Sequence, residues 1–128
     1  MSNIVFSSVN ELKSLLEEKN FNKILIICGE NSFEASGAKK ILSNLLKNKE
    51  IRIFKKKSPY PELIELKQII TNLRDFSPDL ILAVGGGSVL DYAKTANVLT
   101  ESKDLKIEIS NSNYEIRKKF TKLAAIPT

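Results

Sequence analysis

Leu80-Ile81-Leu82-Ala83-Val84-Gly85-Gly86-Gly87-Ser88 is the stretch that decides the fold. Five apolar residues without a polar interruption read as a strand buried on both faces, the pattern of a parallel strand covered by helices. The run empties into three glycines and a serine, and Val89 to Leu99 then shows helical spacing. A strand passing through a glycine turn into a helix is half of a βαβ unit, the connection that parallel strands require.

Working outward, Ser77-Pro78-Asp79 stops a preceding helix that runs from Pro61 to about Phe76, with Leu63, Leu66, Ile69, Ile70 and Leu73 inward. Ser58-Pro59-Tyr60-Pro61 is a rigid connector, and Pro61 suits a first helical turn. Upstream lie a short alternating strand at Glu50–Phe54 and a helix from Ser36 to Lys47 with Ala38, Ile41, Leu42, Leu45 and Leu46 on one side. Gly29 to Phe33 reads as a loop. Lys23–Cys28 is a second buried strand, and Ser8 to Lys19 a helix carrying Val9, Leu12, Leu15 and Leu16, with Ser8 or Asn10 as cap. Downstream, Asp104–Ile109 alternates like an edge strand, Asn111-Ser112-Asn113 reads as a turn, and the polar stretch Asn111–Phe120 takes no assignment. Leu123–Ile126 closes the pattern as a last buried strand. Buried strands alternating with amphipathic helices predict an α/β fold: a Rossmann-like parallel sheet with helices on both faces, in a single domain. The chain stops at Pro127-Thr128, where a βα loop is expected to begin, so a truncated chain is the expectation.

Composition narrows the function classes. The 128 residues allow one domain, and 42% apolar with 27% charged residues is ordinary for a globule. Lys and Arg number 20 against 15 Asp and Glu, a net charge of +5. Two basic clusters, Lys55-Lys56-Lys57 and Arg117-Lys118-Lys119, lack interleaved aromatic residues for stacking, so solvated surface is expected and no nucleic-acid partner. No apolar run approaches the ~18 residues of a membrane span. The start has no basic segment followed by an apolar one, so a cytoplasmic location without membrane association is expected. The single cysteine, Cys28, forms no internal disulfide and reads as a small core residue. The absence of histidine removes His-based metal sites, a Ser-His-Asp triad and a histidine base from these residues. No catalytic or metal-binding residue is therefore assigned.

Chemistry concentrates in the glycine loop. Ligands of open parallel sheets sit at the carboxyl ends of the strands. There Gly85, Gly86 and Gly87 let backbone approach an anion, the helix N-terminus supplies positive potential, and the Ser88 hydroxyl adds a donor. A diphosphate is the natural occupant. The plainer reading is a tight βα turn, with Ser88-Val89-Leu90-Asp91 as a capping box. Capping alone does not ask for three successive glycines. Lys94 either pairs with Asp91 or faces the ligand, and Tyr92 faces either ligand or core. Phe33 reads as a packing residue. The usual dinucleotide fingerprint is not met, because Leu90 stands at its third glycine position.

The segment Asp79-Leu-Ile-Leu-Ala-Val-Gly-Gly-Gly-Ser-Val-Leu-Asp-Tyr-Ala-Lys94 closely resembles the pyrophosphate-binding segment of the iron-containing alcohol dehydrogenase family. Ala125-Ile126-Pro127-Thr128 is similar to the opening of that family's next motif, Ile-Pro-Thr-Thr-Ala-Gly-Thr-Gly-Ser-Glu. The resemblance covers the chain from Lys23 onward. It implies that residues 1–128 are a dinucleotide-binding domain, the N-terminal half of a two-domain enzyme. The second, helical domain, absent from this chain, supplies an Asp and three His to Fe2+ or Zn2+, which polarises the alcohol oxygen for hydride transfer to nicotinamide. By the same resemblance Gly86, Gly87 and Ser88 cradle the pyrophosphate, Asp91 and Lys94 complete the motif, and Thr128 approaches the cofactor.

One departure concerns the adenosine ribose. Many family members carry an Asp at the end of the first buried strand, where this chain has Gly29, followed by Glu30, Asn31 and Ser32. Loss of the acid relieves repulsion against a 2′-phosphate, and Ser32 is a donor for it; Glu30 could instead take the ribose hydroxyls. NADP is slightly favoured over NAD. Tyr60-Pro61 stands where the family often shows Asn-Pro. The implied partners are a nicotinamide dinucleotide and, in the whole enzyme, a small alcohol or aldehyde, with a homodimer as a candidate assembly. The alternatives are a related glycerol or glycerol-phosphate dehydrogenase, a dehydroquinate-synthase-like enzyme, or a nucleotide-binding module without catalysis.

Overall fold

The computed structural model describes residues 4–6, 9–30, 32–35, 37–57, 62–99 and 121–126. In chain order the elements are β1 (Ile4–Phe6), α1 (Val9–Glu18), β2 (Lys23–Gly29), α2 (Ser32–Ala35), α3 (Ala38–Leu45), β3 (Glu50–Lys56), α4 (Leu63–Phe76), β4 (Leu80–Val84), α5 (Gly87–Leu99) and β5 (Lys122–Ile126). The strands form one parallel sheet in the order β1-β5-β4-β2-β3.

The apolar runs occupy the centre of this sheet because both their faces are covered. Side chains alternate across the pleat. Leu25, Ile27, Ile81, Ala83, Leu123 and Ala125 pack under α4 and α5, against Leu66, Ile69, Ile70, Leu73, Phe76, Ala93, Ala96 and Leu99. Ile24, Ile26, Cys28, Leu80, Leu82, Val84, Ala124 and Ile126 pack on the other face, against Leu12, Leu15, Phe33, Leu42 and Leu46. The expected α/β architecture, with helices on both faces of a parallel sheet, is the observed one.

Several boundaries differ from the sequence reading, each for a local reason. β1 was not expected: its three residues are too few to show a period, and its register with Leu123–Ala125 is purely tertiary. The expected Gly29–Phe33 loop contains the start of α2, and Gly37, at φ 79°, delays α3 to Ala38. β3 continues through Lys55 and Lys56 because the ladder to Cys28 and Gly29 continues there. α4 starts at Leu63 and ends at Phe76 as expected, capped by Ser77, whose left-handed φ of 49° lets its N–H donate to Leu73 O at 2.9 Å. The readings at Tyr60-Pro61, Asp104–Ile109 and Asn111–Phe120 lie outside the described residues.

Candidate functional site

From β2 the chain moves outward to the edge strand β3, whereas from β4 it moves the opposite way to β5. The two strands are neighbours, Cys28 lying opposite Val84. Their outgoing helices pack on opposite faces, α2 and α3 on one and α5 on the other. Such a divergence opens a crevice above the carboxyl ends of the two strands. Both candidate segments, Gly29 with Ser32 and Gly85 through Ser88, stand at this divide.

The three glycines are not equivalent. Gly85 has φ +148°, and a Cβ built on it would stand 2.9 Å from Val89 Cγ2. Its N–H donates to Ile126 O at 3.1 Å, fixing it beside the end of β5. The fold itself therefore requires Gly85. A Cβ at Gly86 or Gly87 would meet nothing within 4 Å. The protein's own packing does not explain these two glycines.

The helix start also departs from the expected capping box. The carbonyl of Gly86 accepts from Val89 N at 3.2 Å and Leu90 N at 3.3 Å, so α5 begins at Gly87 and Ser88 is already inside its first turn. Asp91 is exposed in the following turn, and among the described residues neither a hydrogen bond nor an ion pair joins it to Ser88 or to Lys94, which is half-buried. The first amides of a helix have no intrahelical acceptor, and the helix dipole adds positive potential at the same point. Gly87 and Ser88 are the first two residues of α5, just after the end of β4.

Tyr92 is resolved in favour of the core. It is buried, its hydroxyl accepts from the Glu62 amide, and it donates to Glu65 Oε1 at 3.2 Å. The Lys57 amide donates to Glu65 Oε2 at 2.7 Å. One buried carboxylate thus ties the exit of β3 to α5, a link no sequence pattern marked.

At the end of β2, Cys28 is fully buried and its Sγ donates to Phe54 O at 3.7 Å. Burial pushes its thiol up to about 11, although Lys55 pulls the other way. A thiol held protonated is a core group, not a nucleophile. Gly29 is the last residue of β2 and Ser32 the first of α2; Phe33 is buried under Leu42 and Leu46, a packing residue as expected. The next residue, Glu34, was not singled out in the sequence. Its Oε1 lies 3.1 Å from Lys39 Nζ and 3.6 Å from Lys55 Nζ. The Lys39 hydrogen bond, reinforced by both ammonium charges, holds this carboxyl below its usual range. Lys55 is brought there by register, opposite Cys28, which local sequence does not reveal. Thr128 and Asn31 lie outside the described residues. Among those described, no group of three Cys, Asp or Glu is placed to hold a metal ion, and no helix is long and apolar enough to cross a membrane.

The model of the family described as iron-containing alcohol dehydrogenase matches residues 2–128. The chain belongs to this family. It is 28% identical over 102 residues to the long-chain primary alcohol dehydrogenase AdhA of Thermoanaerobacter ethanolicus, covering 76% of this chain and 26% of that protein. An alcohol dehydrogenase of Thermococcus barophilus is 40% identical over 74 residues, covering 53% of this chain and 20% of the relative. Among solved structures, the aldehyde reductase YqhD of E. coli superposes with a TM-score of 0.80 at 25% identity, over 98% of this chain and 33% of that one. A sulfoacetaldehyde reductase from Bifidobacterium kashiwanohense, solved with NAD+, superposes at 0.78 and 21% identity, over 98% of this chain and 34% of that one. The chain thus spans 26% and 20% of these two curated relatives and about a third of these two solved ones.

Proposed function

We propose that this chain is the dinucleotide-binding part of an NAD(P)-dependent alcohol or aldehyde oxidoreductase. The observation that carries the reading is the contrast within the loop: Gly85 is demanded by the fold, whereas Gly86 and Gly87 leave open space at a helix N-terminus. In this reading the amides of Gly87 and Ser88 and the hydroxyl of Ser88 take the pyrophosphate, with Gly86 giving the room. Asp91 and Lys94 flank it, and Thr128 reaches it from the loop after β5. The adenosine end lies over Gly29 and Ser32, where the missing carboxylate slightly favours NADP over NAD. When bound, the cofactor supplies the hydride acceptor or donor; the chain's own residues bind and orient it.

The substrate is an alcohol or aldehyde, the class that the relatives' names carry, and in this reading a small one. The domain assignment is residues 1–128 for the cofactor, with the Fe2+ or Zn2+ ligands in a helical domain elsewhere in the protein. A metal-assisted hydride transfer needs its Lewis acid, so these 128 residues alone are expected to be inactive. A cytoplasmic location and a homodimer of the whole enzyme complete the proposal.

Calorimetric titration with NADP and NAD, beside a turnover assay with added iron or zinc, tests it. Weak dinucleotide binding without turnover is expected. Gly87→Val should abolish binding while leaving much of the helix content intact, because a Cβ at this position meets nothing within 4 Å and the added bulk takes the ligand's space. Normal binding by Gly87→Val, or metal-dependent turnover from this chain, overturns the reading.

A further inference from the structure

We infer that Glu34, Lys39 and Lys55 form an anion-exchange selector for a 2′-phosphate on adenosine, an inference that rests on the dinucleotide reading above. Two ammonium groups from different elements, α3 and the edge strand β3, converge on a single carboxylate oxygen of α2, at 3.1 and 3.6 Å. Lys55 lies opposite Cys28 in the ladder, and the next pair is Gly29 with Lys56, so the cluster borders the strand end where the adenosine ribose is placed. All three side chains are about half exposed, at 51%, 56% and 41% for Lys39, Glu34 and Lys55, and open to a ligand from solvent.

Two convergent lysines form a receptor for an oxyanion, and in the free protein Glu34 fills it. A carboxylate brings one negative charge; a phosphate monoester brings up to two, with three acceptor oxygens, so it competes well for the same pair. Glu34 sits on a helix of only four residues and has no other ion-pair partner among the described residues, so rotation about its side chain releases both lysines. A ribose 2′-hydroxyl carries no charge and gives the lysines no reason to leave Glu34. The cluster therefore rewards the phosphorylated nucleotide, while its resident carboxylate keeps that reward small. No bond is made or broken in this exchange.

The test uses the 128-residue chain with two probes, adenosine 2′,5′-bisphosphate and 5′-AMP, titrated at low and physiological salt. Glu34→Gln should tighten the bisphosphate roughly five- to tenfold, because the competing charge is gone, and leave 5′-AMP within about twofold. Lys55→Ala and Lys39→Ala should each weaken the bisphosphate several-fold without moving 5′-AMP, and the bisphosphate effect should shrink as salt rises. Thermal melts within a degree or two of wild type are expected, since the ion pairs are exposed. If both probes bind but no variant changes their ratio, or Glu34→Gln tightens both equally, the selector is overturned and the dinucleotide reading stands. If wild type binds neither probe, nor any dinucleotide, the dinucleotide reading itself fails.

Discussion

The two edges of the sheet are built on opposite plans. At the amino ends of the strands, side chains close the backbone. Asp79 Oδ2 accepts from the Asn22 and Lys23 amides at 2.8 and 3.1 Å, and the Asp79 amide donates to Lys23 O at 2.8 Å. Lys23 Nζ donates to Phe76 O at 2.9 Å, and both Lys23 and Arg52 stand within 5.0 Å of the Phe76 ring centre. Asn97 clamps Thr121 with a bond in each direction, at 2.8 and 3.1 Å. Beyond the carboxyl ends of β2 and β4 stand Gly86 and Gly87, where a Cβ would meet nothing within 4 Å, and the exposed charges of Glu34 and Lys39. One edge is closed by side chains, and the other is the edge proposed above for the dinucleotide.

Gly85 is the point at which this division should break. It lies on the open edge, yet its φ of +148° and the 2.9 Å approach of Val89 make it structural. Gly85→Val should cost more than about 3 kcal/mol, combining backbone strain with overpacking. Urea titration would show it, and an unchanged midpoint would mean that the loop has a second conformation free of strain.

The next largest effect comes with pH. The Cys28 thiol is raised from 9.0 to about 11 by burial, so the folded state holds its proton more tightly than the unfolded chain. Its contribution is complete below pH 9 and is lost as pH climbs through 11. At one pK unit per 1.36 kcal/mol, the full loss is on the order of 2–3 kcal/mol. Melts of wild type and Cys28→Ala between pH 8 and 11 should therefore converge as pH rises. Parallel curves would show that the thiol is not the titrating group.

A smaller loss is expected at the closed edge. Asp79→Ala removes one carboxylate from two amides that are solvent-exposed, for about 1–2 kcal/mol. Dinucleotide affinity should not change, and a parallel loss of binding would show that the two edges are coupled. The smallest effect sharpens the contrast. Gly86→Ala should leave stability within about 0.5 kcal/mol, since nothing lies within 4 Å of the added methyl. It should still weaken dinucleotide binding measurably.

What the sequence disclosed follows from how far each signal reaches along the chain. Lys23–Cys28 and Leu80–Val84 were legible because a strand buried on both faces needs no partner information to be seen. The glycine loop was legible as a strand-to-helix passage for the same local reason. Which glycine serves the fold was not legible, since it depends on Val89 folding back over Gly85. The capping box misled because the Gly86 carbonyl reaches Val89 and Leu90 first, taking the cap position from Ser88. Lys55 beside Glu34 depends on strand register, which no local window contains.

The pairing of Ile4 with Leu123 has a consequence in time. At roughly 5–20 residues per second of synthesis, the partner of the first strand emerges some 6–25 seconds after it. The β2–β4 centre has its own residues ready earlier and can assemble while β1 waits. β1, made before the other four described strands, is thus left waiting for β5, and any delay in the ribosome's delivery of residues 122–126 prolongs the interval in which it stands without its native neighbour.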